Sequence, residues 1–450
     1  MSERQNMKRL PTLPCTALPL ILASCMDSPA PGGAGGTDAS TSTADSSTDG
    51  DENPADTTTA RPPEASGGVE DESSDEEGGT TSFCGDGIVD PGEACDDGND
   101  AQADGCNIDC TVSGSVLWTV QLPESLGVSK IHFDAKGHIL LGGVSFGDRF
   151  EGFVSVEFDA DGELIDQRSY IPSIDPPPGT AEIRFGSLHD VEFRAGGQAV
   201  FSALFEFRDA VGELLGGDSG LVAEQGASAS WQALRGGWGL YFGVDAGDNV
   251  YGGARAGGGQ VSVLKVAPSG EVLVSREHAM RSSSLFEDAV SVLSDGGLVV
   301  GGVDIMCFDA DGSLRWSVPW DEHEDSRPRQ VWESAGGEVQ VVGSLGENYE
   351  TVGYQWLTLS PAGDIEDSVS WGAEDAVLPL YAEDSAGHVT TVSERFSGPP
   401  EYRVMKFNPD RSPRWPAEVV YPNRVNVFAV DDAGATVLVN FGYELIKLAP

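Results

Sequence analysis

Basic side chains are scarce: 26 lysines and arginines stand against 73 aspartates and glutamates in 450 residues, a formal charge of -47 at pH 7. Nucleic acid and anionic membrane surfaces would be repelled by that charge, which excludes them as partners. Long apolar runs are missing too. The stretch from Leu10 to Leu22 falls well short of the roughly 20 residues that cross a bilayer, so no membrane helix is expected there. Helical spacing of apolar residues is not sustained anywhere, and hydrophobic residues reach only 39%, enough for a core in part of the chain. Glycine is the abundant residue, with 58 copies against an ordinary frequency of about 7%. A turn-rich β protein of up to about three domain lengths follows.

The chain divides into four parts. In residues 1–25, Arg4, Lys8 and Arg9 precede the short apolar stretch, the pattern of a cleaved export signal. It ends in Leu22-Ala23-Ser24-Cys25, which resembles the bacterial lipobox. The resemblance implies cleavage before Cys25, a lipid on its thiol, and anchoring to the cell envelope, with Met26 favouring the outer membrane or cell surface. Residues 26–83 have Val69 and Phe83 as almost their only large apolar groups, and 14 acids against the single base Arg61. Ordering such a segment costs entropy that no burial offsets, so it is read as a disordered acidic tether with a coil span of about 40 Å. Its removal should leave the melting temperature nearly unchanged.

Residues 84–112 hold Cys84, Cys95, Cys106 and Cys110 with few apolar side chains. On the exported side of a membrane these four are expected to form two disulfides, with all three pairings open. Cys84-Gly85-Asp86-Gly87, Gly92-Glu93, Cys95-Asp96-Asp97-Gly98-Asn99 and Asp104-Gly105-Cys106 resemble the myxobacterial cysteine-rich repeat, which implies a location outside the cell and no particular chemistry. Asp86, Asp90, Asp96, Asp97, Asn99 and Asp104 crowd oxygen atoms around glycine turns, as a calcium site requires and as tight turns alone also require.

Residues 113–450 repeat one pattern, seen in IHFDAKGHILLGG, FGVDAGDNVYGG, VSVLSDGGLVVGG and VFAVDDAGATVLV. Its turn recurs at Gly137, Gly197, Gly247, Gly296, Gly336, Gly387 and Gly434, every 40 to 60 residues or so, the length of one four-stranded propeller blade. Second hairpins such as SVEFDADGELI and MCFDADGSLRW follow, so the fold class is all-β, a seven-bladed β-propeller. The repeats resemble those of bacterial quinoprotein-like propellers, with Trp118, Trp231, Trp316 and Trp415 in the place of an aromatic that docks adjacent blades. The seventh copy supplies three strands by Leu448, and the piece it lacks stands at residues 114–121. That strand is expected to close the ring.

No chemistry stands out. Asp159 to Gly162 and Asp309 to Gly312 open like calcium loops but lack the later ligands, and are read as hairpins. The GDSG string at Gly217 to Gly220 has no histidine motif beside it. The histidines His132, His138, His189, His278, His323 and His388 show no metal-ligand pair at short spacing. Cys307 falls in register with Glu157, Lys265, Thr358 and Lys406 and is expected to be buried. A noncatalytic, monomeric binding or scaffold protein contacting an envelope or extracellular protein, glycan or small ligand is the leading reading, with no cofactor beyond calcium. A propeller enzyme, such as a quinoprotein-like dehydrogenase or a polysaccharide-degrading enzyme, is the alternative.

Overall fold

The computed structural model describes residues 84–450 apart from 101, 103, 148–149, 175, 226–227, 235–237, 257–258, 282–284, 321–325, 348–349, 373–379, 396–400, 417 and 422. The export signal, Cys25 and the tether lie outside the described residues, as does His323. Every regular element described is a strand, and the strands form seven four-stranded antiparallel sheets. Six sheets take four consecutive strands: 126–170, 182–234, 238–279, 285–319, 327–372 and 380–421, blades one to six. Blade seven combines Val425–Val430, Thr436–Asn440 and Glu444–Leu448 with Val116–Gln121 from the other end of the domain. The molecule is a seven-bladed β-propeller.

Closure is antiparallel, with Thr119 opposite Ile446 and Gln121 opposite Glu444. Gly114 donates to the Ala449 carbonyl at 3.1 Å, and Ala449 returns a bond to Ser115 at 2.8 Å. First and last segments therefore meet in one sheet.

Burial follows from blades standing face to face. Second strands such as Leu298–Gly302 and Thr436–Asn440 are buried along their whole length, because a neighbouring blade covers each face. They read as continuous apolar runs for that reason. Outer strands such as Leu164–Tyr170 are mostly exposed.

Tryptophans join the blades at the outside. Trp118 in blade seven donates its Nε1–H to the Ala160 carbonyl of blade one at 3.1 Å, and Trp316 in blade four does the same to Pro361 of blade five at 3.0 Å. Each ring lies over a turn glycine: a Cβ on Gly162 would sit 3.0 Å from Trp118, and one on Gly363 2.7 Å from Trp316. Trp415 is buried and packs against Gly114 in the same way. Between blades five and six the pair is replaced by Asp367 and Arg411, an ion pair at 3.1 Å. The side chain of Trp231 is outside the described residues.

At two first turns the left-handed residue is Asp248 in blade three and Gly337 in blade five, one place after the turn residues Gly247 and Gly336. Gly142-Gly143 and Gly252-Gly253 lie inside the second strands Ile139–Phe146 and Val250–Ala256. A Cβ on Gly143 would fall 2.0 Å from the Gly127 carbonyl oxygen of the inner strand. Close approach of the inner strand requires glycine there.

Candidate functional site

The inner strand of each blade has one hydrogen-bonded neighbour, the second strand, so its free edge faces the axis of the ring. In five blades single-residue bulges interrupt this edge, two of them in blade two. The inserted residues are Ser129, Gly186, His189, Gly239, Arg329 and Asn426. Ser129, Arg329 and Asn426 are exposed and His189 is half-buried, with its pKa held down by desolvation. Bulges re-aim side chains and occur next to binding sites. Here they place a hydroxyl, an imidazole, a guanidinium and an amide at the axis edge, with no carboxylate among them.

Asp190, beside His189, is engaged in the scaffold. Its Oδ2 accepts the N–H of Phe242 in blade three at 2.8 Å and its Oδ1 accepts that of Val191. Ser219 of the GDSG string lies within the strand Leu214–Gln225, buried and opposite Leu204 and Leu234, where no substrate reaches it. Asp159 and Asp309 both open second hairpins, whose Gly162 and Gly312 donate back to their carbonyls.

A second set of polar groups repeats at the first turn of the blades. Asp134, Asp245, Asp384 and Asp431 begin this turn in blades one, three, six and seven, and the Oδ1 of each accepts the N–H four residues on, at 2.8 to 3.0 Å. Oδ2 is thereby turned toward the third strand. The third-strand residue in register is Glu157, Ala223, Lys265, Cys307, Thr358, Lys406 and Lys447 in blades one to seven. Lysine meets aspartate in three of these blades: Lys265 and Asp245 at 2.8 Å, Lys406 and Asp384 at 3.1 Å, Lys447 and Asp431 at 3.7 Å.

Cys307 occupies the same column in blade four, fully buried, with its pKa pushed up to about 12 by desolvation. The thiolate is scarce at neutral pH, and the residue packs as a small apolar group.

Blade one differs, since Glu157 stands in place of lysine. Its carboxylate is 2.8 Å from His138 Nδ1, which is 3.4 Å from Asp134 Oδ2. Among the described residues this is the group of three potential metal-ligating side chains whose donor atoms all lie within 4.8 Å of one another. The linear sequence hides it, because Asp134 and His138 flank a turn and Glu157 arrives from another strand. The signal that could have found it is the aspartate-to-histidine spacing together with the lysine column that Glu157 interrupts.

The cysteine module is organised by Asp96. Its two carboxylate oxygens accept the N–H groups of Gly85, Asp86, Gly87 and Gly98 at 2.8 to 3.2 Å, and these bonds hold its pKa below the usual carboxylate range against desolvation. Asp97 accepts from Asn99 and from the Cys106 N–H, and Asp86 from the Ile88 N–H. Asp90 takes part in a turn with Glu93. Among the described residues no three of the carboxylates of Asp86, Asp90, Asp96, Asp97 and Asp104 have oxygens within 4.8 Å of one another, and on Asp96 four turn N–H groups occupy lone pairs that a cation would use.

Of the two disulfides expected, one is formed, Cys95 to Cys106. Cys84 and Cys110 are free thiols. The Cys84 thiol is engaged by the Asn107 carbonyl at 3.1 Å, and Cys110 has its pKa pushed up to about 12 by desolvation, with the Cys84 sulfur and the Glu93 carboxylate beside it. With Cys95 and Cys106 joined, a single second pairing is open. Oxidation should close Cys84 to Cys110, and non-reduced peptide mapping should find the two peptides linked with both thiols resistant to alkylation. Alkylation of both after exhaustive oxidation would remove the second bridge.

The module runs into blade seven through residues 113–115 and also touches blade six. Arg414 donates to the Gln102 carbonyl and to His388 Nε2, the latter at 2.9 Å. His388 Nδ1 faces Asp384, so the ring carries its hydrogen on Nδ1 and accepts at Nε2.

The chain matches no protein-family model and no curated protein. Solved structures do align with it. The WD40 β-propeller domain of Doa1 aligns at 9% identity and a TM-score of 0.45, covering 74% of this chain and 96% of that one. A streptogramin B lyase structure aligns at 11% identity and the same TM-score, covering 74% and 98%. A protein of unknown function from Bacteroides caccae aligns at 14% identity, with a TM-score of 0.37 and coverage of 63% and 93%. The likenesses to the cysteine-rich and quinoprotein-like repeats rest on the residues quoted above.

Proposed function

We propose that this chain is a lipid-anchored, noncatalytic binding protein that presents its propeller outside a cell envelope and holds a hydrogen-bonding ligand, a surface glycan, at the axis of the ring. The observation that carries this reading is the set of bulge residues Ser129, His189, Arg329 and Asn426. They offer donors and acceptors of four kinds, with no carboxylate among them. Hydroxyl-rich ligands are matched by such mixed groups. The anchor and tether rest on Leu22 to Cys25 and on the composition of residues 26–83. A lipid on Cys25 and a long acidic spacer would keep the ring clear of the membrane surface.

The test is made on the full chain expressed with its export signal. Intact-mass analysis should find acylated Cys25 at the N-terminus of protein recovered with the envelope. Glycan-array binding should fall at least tenfold, about 1.4 kcal/mol, in the double variant Arg329→Ala, Asn426→Ala without a change in melting temperature. An unmodified Cys25 removes the anchor. Equal binding by the variant moves the site off the axis, and cleavage or oxidation of the bound glycan makes the protein an enzyme.

A further inference from the structure

We propose that Asp134, His138 and Glu157 in blade one form a binding site for a divalent first-row transition cation. The inference starts from a comparison internal to the molecule. Four first turns begin with aspartate, and in each the aspartate spends Oδ1 on turn N–H groups and directs Oδ2 toward the third strand. In blades three, six and seven an ammonium group answers that oxygen, from Lys265, Lys406 and Lys447. Blade one keeps the aspartate and the turn but replaces the lysine with Glu157, so a cation is exchanged for an anion in the same register.

That exchange costs free energy unless a positive charge is supplied. Two carboxylates flank one imidazole nitrogen, and their side chains are only 17% and 27% exposed. Nδ1 carries at most one hydrogen, which can serve Glu157 at 2.8 Å or Asp134 at 3.4 Å, and in serving one it leaves the other without that bond. A metal ion satisfies all three donors at once. Bonds of about 2.1 Å to nitrogen and oxygen set neighbouring ligand atoms about 3.0 to 3.4 Å apart, close to the 2.8 and 3.4 Å that separate His138 Nδ1 from the two carboxylates, and all three donor atoms lie within 4.8 Å of one another. One imidazole and two carboxylates suit zinc or manganese, whereas calcium takes oxygen ligands and disfavours the imidazole. His138 is 23% exposed, which leaves water access to the remaining coordination positions. The site belongs to the first turn and third strand of blade one and is independent of the axis-edge residues.

The experiment uses the full chain, stripped with chelator, and follows thermal unfolding with and without 0.5 mM Mn²⁺, Zn²⁺ or Ca²⁺, concentrations of roughly 100 times a micromolar dissociation constant or more. Mn²⁺ and Zn²⁺ should raise the melting temperature by about 2 to 5 °C. The variant Glu157→Lys restores the pairing used in blades three, six and seven and should fold normally while losing the response to Mn²⁺. Glu157→Gln keeps the shape of the side chain and should weaken the response at least tenfold in metal concentration. No shift with either transition metal, or a Mn²⁺ shift as large in Glu157→Lys as in the parent chain, overturns the site. A response to Ca²⁺ that survives in Glu157→Lys, with none to Mn²⁺ in the parent, also overturns it and places the cation binding elsewhere in the chain.

Discussion

Deleting residues 113–121 should lower the unfolding free energy by about 5 kcal/mol and turn a monomer into a self-associating species. The strand Val116–Gln121 is the outer strand of blade seven, paired to Glu444–Leu448 from Val116 opposite Leu448 to Gln121 opposite Glu444. Its removal takes away the ladder bonds, the bonds between Gly114, Ser115 and Ala449, and the Trp118 contact to blade one. At about 1 kcal/mol net for each hydrogen bond, a ladder of this length gives the estimate. The deletion also uncovers the outer edge of the strand that carries the buried residues Leu445, Ile446 and Leu448 and leaves it unpaired. Such an edge is a template for pairing with a second chain. Urea unfolding gives the first effect and light scattering the second. A deleted chain that unfolds at the parent's midpoint and stays monomeric would show that blade seven is closed by something other than this strand.

The closure was legible because a propeller repeat is phase-locked. Joining Leu448-Ala449-Pro450 to Ser113-Gly114 recreates the VAPSG turn at Val266 to Gly270, and in the structure the two ends hydrogen-bond through Gly114 and Ala449. The count of blades was legible from the turns, since each requires a left-handed residue and most supply glycine. Registers one residue apart were not. At Gly247-Asp248 and Gly336-Gly337 two neighbours compete for the left-handed place, and only the hydrogen bonds of the turn choose between them.

The bulges at Ser129, His189, Arg329 and Asn426 leave no mark in composition, because one extra residue on an inner strand looks like ordinary variation in length. The cluster of Asp134, His138 and Glu157 escaped for a different reason. Asp134 and His138 flank one turn, while the third member, Glu157, comes from the third strand of the same blade, 19 residues on from His138. Cys84 and Cys110 were legible as cysteines of one module, but their state depends on oxidation, which spacing does not report.

Replacing Lys406 with methionine should cost about 3 to 5 kcal/mol at neutral pH, the range for breaking a buried ion pair by removing one partner. The side chain of Lys406 is 1% exposed and that of Asp384 3%, the most enclosed of the lysine and aspartate pairs in the column. Nζ lies 3.1 Å from Asp384 Oδ2 and donates to the Gly434 carbonyl at 2.7 Å, so the ammonium joins the first turns of blades six and seven. Burial alone pushes the Lys406 pKa down, and the Asp384 carboxylate opposes that shift. Asp384 is pushed up by burial, but the His388 N–H and the Lys406 ammonium more than reverse this and hold its pKa below the usual value.

Methionine keeps the length of the chain and removes the charge, leaving the Asp384 carboxylate charged in a dry site with only its turn N–H groups and the His388 ring, and the Gly434 carbonyl without the ammonium. The double variant Lys406→Met, Asp384→Asn should recover most of the loss, since the amide retains an oxygen for the turn N–H groups and carries no charge. The pH dependence has a definite sign. With its folded pKa below the unfolded value of about 3.9, Asp384 contributes stability above that value and loses it as pH falls through the folded pKa. Without the ammonium, Asp384 protonates at a higher pH, so the gap between parent and Lys406→Met should narrow between about pH 5 and pH 3. Urea unfolding at both pH values measures it, and an equal gap at the two would assign the loss to packing of the lysine stem instead of the ion pair.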